Sequence, residues 1–228
     1  MNTIGKAGES GLQRREVTIS ADGVTLPGDL SLPVLPGGVV VFAHGSGSSR
    51  LSPRNIEVAR VLNDAGLATL LFDLLTEAEA LDRGNVFDIA LLARRLRAAT
   101  GWLRAEPDTG ALPVGYFGAS TGAAAALWAA AETGGHVGAV VSRGGRPDLA
   151  APRLPLVRAP TLLIVGRADE VVLELNRGAL VDLRSCEHEL AVVAGATHLF
   201  EEPGALELVA ELASDWFVKH LTAPASAA

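Results

Sequence analysis

The 228-residue chain predicts an α/β fold: a mostly parallel central sheet with helices on both faces, entered through an N-terminal hairpin. Three observations carry this. Continuous apolar, β-branched runs such as "GGVVVFAH" and "PTLLIVG" read as strands buried on both faces of a sheet. Between such runs lie stretches whose apolar residues recur at helical spacing, and that alternation argues crossover connections in a parallel sheet. Apolar residues make up 49% of the chain, enough for a sizeable core, and the length favours one domain over two.

Each element follows in order. Residues 1–12 are polar and glycine-containing, a mobile lead-in. "REVTISADGVTLPGDLSLP" gives two strand-like runs around Asp22-Gly23, a dipeptide suited to a tight hairpin. "GGVVVFAH" is the first buried strand, 54–65 a helix and "LATLLF" (67–72) the next strand. Asn85 is a candidate N-cap for a helix marked by Val86, Ile89, Leu92, Ala93 and Leu96, running to about Arg104. "LPVGYFGA" is a strand and 121–132 a helix; 137–142 and 160–166 are further buried strands. A helix at 171–182, a strand at 188–193 and a closing helix with Ala205, Leu208, Val209, Leu212 and Trp216 on one face complete the domain, 13–221. Residues 222–228 read as a frayed tail, and the stretch between the strands at 137–142 and 160–166 is too short to fold as a cap domain.

Composition excludes several function classes. Net charge is −7 and the 19 Lys and Arg are scattered, so no basic stripe offers itself to nucleic acid. Cys186 is the only cysteine, which rules out a disulfide framework and a cysteine-rich metal site. The first twenty residues lack the apolar core of a signal peptide, and no apolar run approaches the roughly 20 residues that span a bilayer. The reading is a cytoplasmic protein that engages a small molecule, with no membrane partner.

The chemistry gathers at "GYFGASTGAA" (115–124), where a strand feeds directly into a helix through G-x-S-x-G. That is the nucleophile-elbow pattern: Gly118 and Gly122 let neighbouring backbone pass close, and Ser120 projects at a helix N-terminus that favours developing negative charge. A serine hydroxyl needs a base. His136 and His188 lie at the wrong ends of their strands and His220 near the tail, whereas His198 leaves the C-terminal end of the last strand, on the same sheet edge as Ser120. An acid must orient that imidazole. Asp169, in "LLIVGRADEVV", fits best; Glu170 is the nearest competitor, and the plain alternative is that Asp169 only caps the following helix. Asp73 reads as a structural turn residue. The oxyanion donors are expected to be the backbone N–H groups of Thr121, after the nucleophile, and Ser46, in "HGSGSSR", with Gly45 and Gly47 permitting close approach. His44 reads as a structural hydrogen-bonding residue, and "GSGSS" lacks the Lys and spacing of a phosphate loop.

With "AHGSGSS", "GASTG", "GRADEVV" and "GATHLF" in place, the chain from about Val17 to Leu221 resembles the α/β-hydrolases, and within them the compact dienelactone-hydrolase-like branch. The order Ser120, Asp169, His198 is the order of that superfamily. The resemblance implies a cap-less α/β-hydrolase fold and cofactor-free esterase or lactonase chemistry through an acyl-enzyme. True dienelactone hydrolases use a cysteine nucleophile, and this chain has Ser120 instead, so serine carboxylic-ester hydrolase is the safer expectation. The same triad would serve acyl transfer or perhydrolysis, and a non-catalytic binding module is the alternative from a different class.

Around the substrate the residues leave alternatives open. Gly45, and Arg143 or Arg146 in "SRGGRPD", overlook the expected active edge, and either arginine suits an acidic substrate group. Both also suit solvated loop positions, or pairing with Glu77 and Glu79. Cys186 reads as an ordinary small residue ahead of a strand. Without a cap domain, a shallow site preferring short acyl groups is expected.

Overall fold

The computed structural model describes residues 11–222; most of the expected lead-in and all but Thr222 of the expected tail lie outside them. Eight strands form one sheet: β1 (Gln13–Ala21), β2 (Val24–Leu32), β3 (Val39–Ala43), β4 (Ala68–Phe72), β5 (Val114–Ala119), β6 (Val137–Arg143), β7 (Thr161–Gly166) and β8 (His188–Val193). Their spatial order is β1-β2-β4-β3-β5-β6-β7-β8. The β1–β2 hairpin is antiparallel and joins β4 antiparallel, and all later pairings are parallel. Asp22 and Gly23 both take positive φ, as the tight turn between β1 and β2 requires.

Helices α1 (Pro53–Asp64) and α7 (Ala205–Leu221) cover one face, where Val58, Leu62, Val209 and Phe217 meet Phe42, Phe117, Val141 and Ile164. Helices α4 (Ile89–Ala105) and α5 (Thr121–Glu132) cover the other, packing Leu92, Leu96, Ala126 and Leu127 against Val41, Tyr116, Val140 and Leu163. With both faces covered, β3, β4 and β5 carry no exposed position, which is why they read as unbroken apolar runs. The alanines of α5 let that helix lie close to the sheet, and nine of its residues are buried.

One expectation needs correction. Asn85 does not cap the long helix. The segment before α4 folds into two short helices, α2 (Glu77–Ala80) and α3 (Arg83–Phe87), and Asp88 caps α4 by accepting from the Leu91 N–H at 2.9 Å. Asn85 instead donates from Nδ2 to the Glu79 carbonyl at 3.1 Å. The stretch after β6 carries a 3-10 helix, Pro147–Leu156, before β7. Helix α6 (Glu170–Asp182) then links β7 to β8. Cys186 is half-buried against the core beside Thr161. Among the described residues, no helix is long and apolar enough to cross a membrane.

Candidate active site

The C-terminal ends of β3, β5, β6, β7 and β8 converge on one edge of the sheet, the ligand-binding edge of open α/β folds. Ser120 sits there between β5 and α5 with φ 51° and ψ −118°. Such a conformation costs on the order of 1–3 kcal/mol for a non-glycine residue and persists only where its surroundings impose it. Here they do. A side chain at Gly122 would collide with the Ala43 carbonyl, and one at Gly118 with the Ala123 backbone, so β3 and α5 close on the turn only because both positions are bare. The Ser120 N–H donates to the Arg143 carbonyl at 3.1 Å, and the Arg146 N–H donates to the Ser120 carbonyl at 3.2 Å.

His198 Nδ1 lies 2.6 Å from Asp169 Oδ2. Asp169 occupies the N-cap position of α6, yet its side chain makes no capping hydrogen bond. Its carboxylate is spent on the imidazole, which disposes of the plain capping alternative. Glu170 is exposed and begins α6, and among the described residues it makes no hydrogen bond or ion pair with His198. His198 packs against the 143–146 turn, where a side chain built on Gly144 would meet Nδ1 at 3.4 Å. The same turn holds Ser120, so Ser120 and His198 share one support. Among the described residues no hydrogen bond joins Ser120 Oγ to His198. The other histidines lie elsewhere: His136 precedes β6, His188 opens β8, and His220 packs its ring at a tilt against Trp216 in α7.

The loop after β3 is pinned from several sides. His44 approaches the Gly45 carbonyl with Nδ1 at 3.0 Å, and the Leu74 N–H donates to Nε2 at 3.1 Å. Both contacts fit one neutral tautomer, with the proton on Nδ1. Burial holds the His44 pKa below its ordinary value, against the weaker pull of the Gly45 carbonyl and Asp73. Asp73 accepts from the Arg50 backbone N–H at 2.7 Å and from Arg50 Nη1 at 2.8 Å, so it is the structural residue expected. Gly45 lies directly against the nucleophile turn, where a Cβ would stand 3.2 Å from the Ser120 Cβ. The Ser46 N–H, expected to face a substrate oxygen, donates to Thr121 Oγ1 at 2.9 Å. Sequence reasoning missed this use of the Thr121 side chain, because a contact across 75 positions leaves no local signal.

The two arginines separate. Arg146 is engaged two-pronged with Asp148, Nε to Oδ1 at 2.8 Å and Nη2 to Oδ2 at 2.7 Å, and this pairing raises its pKa. Arg143 is buried, 8% exposed, and no hydrogen-bond or ion-pair partner of its side chain occurs among the described residues. Burial first, and the nearby charge of Arg54 second, push its pKa down to about 10. Neither arginine pairs with Glu77 or Glu79; Glu79 caps α2 and binds Arg95 at 2.8 Å.

A cleft of about 760 Å³ opens beside Ser46 and Thr121, walled by Leu74, Leu75, Val86 and Leu92 and rimmed by Glu77. That volume falls in the range of small-molecule sites. The segment after β4 contributes Leu74 and Leu75 to that wall, while its Leu81 is 87% exposed.

No family model matches the chain. A solved dienelactone hydrolase from Anabaena variabilis is 57% identical, covering 92% of this chain and 99% of its own with a TM-score of 0.89. The chain belongs to the dienelactone-hydrolase-like α/β-hydrolases. Within this superfamily fold, Est1E from Butyrivibrio proteoclasticus superposes with a TM-score of 0.75 at 16% identity, over 90% of this chain and 98% of its own. A metagenomic dienelactone hydrolase-like promiscuous phosphotriesterase does so at 0.76 and 20%, over 92% and 99%. A Mycobacterium tuberculosis protein named "Putative phosphoribosyl transferase" is 61% identical over 97% of this chain, which spans about half, 50%, of that relative's length.

Proposed function

We propose that this dienelactone-hydrolase-like chain is a serine hydrolase that cleaves carboxylic esters or lactones of small molecules through an acyl-enzyme. The observation that carries the reading is the Asp169–His198 contact of 2.6 Å beside a serine held in a strained elbow. A carboxylate on Nδ1 fixes the tautomer that leaves Nε2 free to accept a proton. In the first half-reaction Ser120 Oγ attacks the carbonyl carbon while its proton passes to His198 Nε2. The carbonyl oxygen becomes an oxyanion, held by the Thr121 N–H at the head of α5 and by the Ser46 N–H, which exchanges its Thr121 hydroxyl acceptor for the substrate oxygen. As the tetrahedral species collapses, the imidazolium returns its proton to the departing alkoxide. Water then attacks the acyl-enzyme with His198 again as base, releasing the acid and restoring Ser120.

That Ser120 and His198 are not hydrogen-bonded without substrate is compatible with this sequence, since such bonds in free enzymes often tighten only in the complex. The cleft beside Ser46 and Thr121 is the natural seat for the acyl or alcohol limb, and its leucine walls extend the acceptable substrates beyond acetyl esters. Hydrolysis of p-nitrophenyl acetate and butyrate by the purified protein, with Ser120→Ala alongside, tests the reading. Turnover by the wild type and its loss in Ser120→Ala is expected; equal turnover by both overturns it.

A further inference from the structure

Two kinds of wall line the cleft beside Ser46 and Thr121. Leu74, Leu75 and Leu92 are buried side chains of the main apolar cluster, fixed by packing. The same cleft is also lined by Thr76, by Glu77, Ala78 and Ala80 of α2, and by Val86 of α3. Neither short helix contains a buried residue, and of their side chains only Val86 packs, half-buried, against that cluster. Apolar contact gives this second wall little hold. Hydrogen bonds supply the rest.

Those hydrogen bonds meet at Glu79. Its N–H donates to Thr76 Oγ1 at 3.2 Å, and its Oε2 accepts from the Thr76 N–H at 2.9 Å and from the Thr76 hydroxyl at 3.1 Å. Its carbonyl accepts from Asn85 Nδ2 in α3 at 3.1 Å. Its Oε1 accepts from Arg95 Nη2 at 2.8 Å, and Arg95, 2% exposed in α4, also donates from Nη1 to the Ala21 carbonyl at the end of β1. One residue thus ties α2 to α3 and both to a buried cation, the strongest class of hydrogen bond available here. Glu79 itself does not line the cleft; it acts through the residues that do.

The topology decides which limb of an ester faces this wall. In the serine-hydrolase reading the departing alkoxide takes its proton from His198, so the alcohol limb extends to the side of Ser120 where Gly144, after β6, lies against His198. In sheet order β5 separates that side from β3 and β4, whose following loops line the cleft. The acyl limb is what remains to fill it. Charged groups there do not call for an ionic limb: Arg50 and Asp73 bind each other at 2.8 Å, and Glu77 at the rim opposes an anion. We propose that the cleft binds an apolar acyl limb of several carbons and that Glu79 is the positioning residue of its wall, so that the enzyme selects medium-chain over acetyl esters. This inference rests on the serine-hydrolase reading of the same site, and the two fail in different ways.

The test compares kcat/KM for p-nitrophenyl hexanoate with that for p-nitrophenyl acetate, both below their aggregation limits. Each methylene removed from water raises affinity about fourfold, so burial of only part of the longer chain gives an expected wild-type ratio of about tenfold or more. In Glu79→Ala the ratio falls by about fivefold or more, through a raised KM for the hexanoate. Glu79→Gln, which keeps an acceptor for Arg95, retains part of it. Ala80→Trp, which fills the cleft from the wall, lowers the ratio with Glu79 in place. A wild-type ratio at or below one overturns the proposal without any variant, so misfolding of a variant cannot protect it. An unchanged ratio in Glu79→Ala that is folded by circular dichroism, or an equal loss of kcat on both esters, overturns the role of Glu79. Failure of the wild type to hydrolyse either ester strikes the serine-hydrolase reading instead.

Discussion

Asp169 and His198 show one side chain passing over its usual partner for another. An aspartate at the head of a helix ordinarily accepts from the first-turn amides; this one gives its oxygen to an imidazole at 2.6 Å. Asp169→Asn keeps the shape but offers an N–H where His198 needs an acceptor, favouring the wrong tautomer. Turnover should fall by orders of magnitude, about 10⁴ being the cost of the equivalent change in a serine protease, with secondary structure by circular dichroism unchanged. Near wild-type turnover in Asp169→Asn, with Glu170→Gln inactive, would name Glu170 as the acid. At this scale the sequence was readable where geometry is local. Ser120 was marked by glycines two residues to either side, and Asp169 and His198 by following strands whose C-terminal ends must share an edge. It was unreadable where a partner decides: Arg143 and Arg146 look alike in "SRGGRPD", and only the Asp148 pairing of one and the burial of the other separate them.

His44 joins two loops, that carrying Ser46 and that leading into α2, and it does so only while neutral. Burial depresses its folded pKa below the ordinary 6.5, so between the two values the unfolded chain holds more protons than the folded one. Stability therefore rises with pH through that window: the His44 contribution is complete above about pH 6.5 and is lost as pH falls toward the folded value. Urea unfolding followed between pH 7.5 and 5 should show the wild-type midpoint falling on the acid side. His44→Gln, whose amide oxygen can still accept from Leu74, should show a shallower fall. Because His220 titrates in both proteins, the difference between the curves is the reading; superimposable curves would contradict it. Element boundaries were the least legible part of the sequence. Asn85 and Asp88 are both good caps, and the choice between them turned on two short helices whose capping box, Thr76 with Glu79, is a local signal that was available.

Over the whole molecule, a continuous apolar sheet packed on both faces fixes the ends of six parallel strands along one edge, and the candidate site residues hang from those ends. That architecture was legible because parallel strands buried on both sides have no polar alternation to obscure them. The cleft was not, because Leu74 and Leu75 come from a segment that also carries Glu77 and Glu79, and composition says nothing about which side chains turn inward. The central claim is that this assembly activates one hydroxyl. A fluorophosphonate probe measures that most directly, since an unactivated serine attacks phosphorus poorly. Intact-protein mass spectrometry of the wild type should show a single adduct, mapped to the peptide containing Ser120, with none in Ser120→Ala and slowed labelling in His198→Ala. Labelling that persists in Ser120→Ala, or a wild-type protein that takes up no probe, would contradict the account.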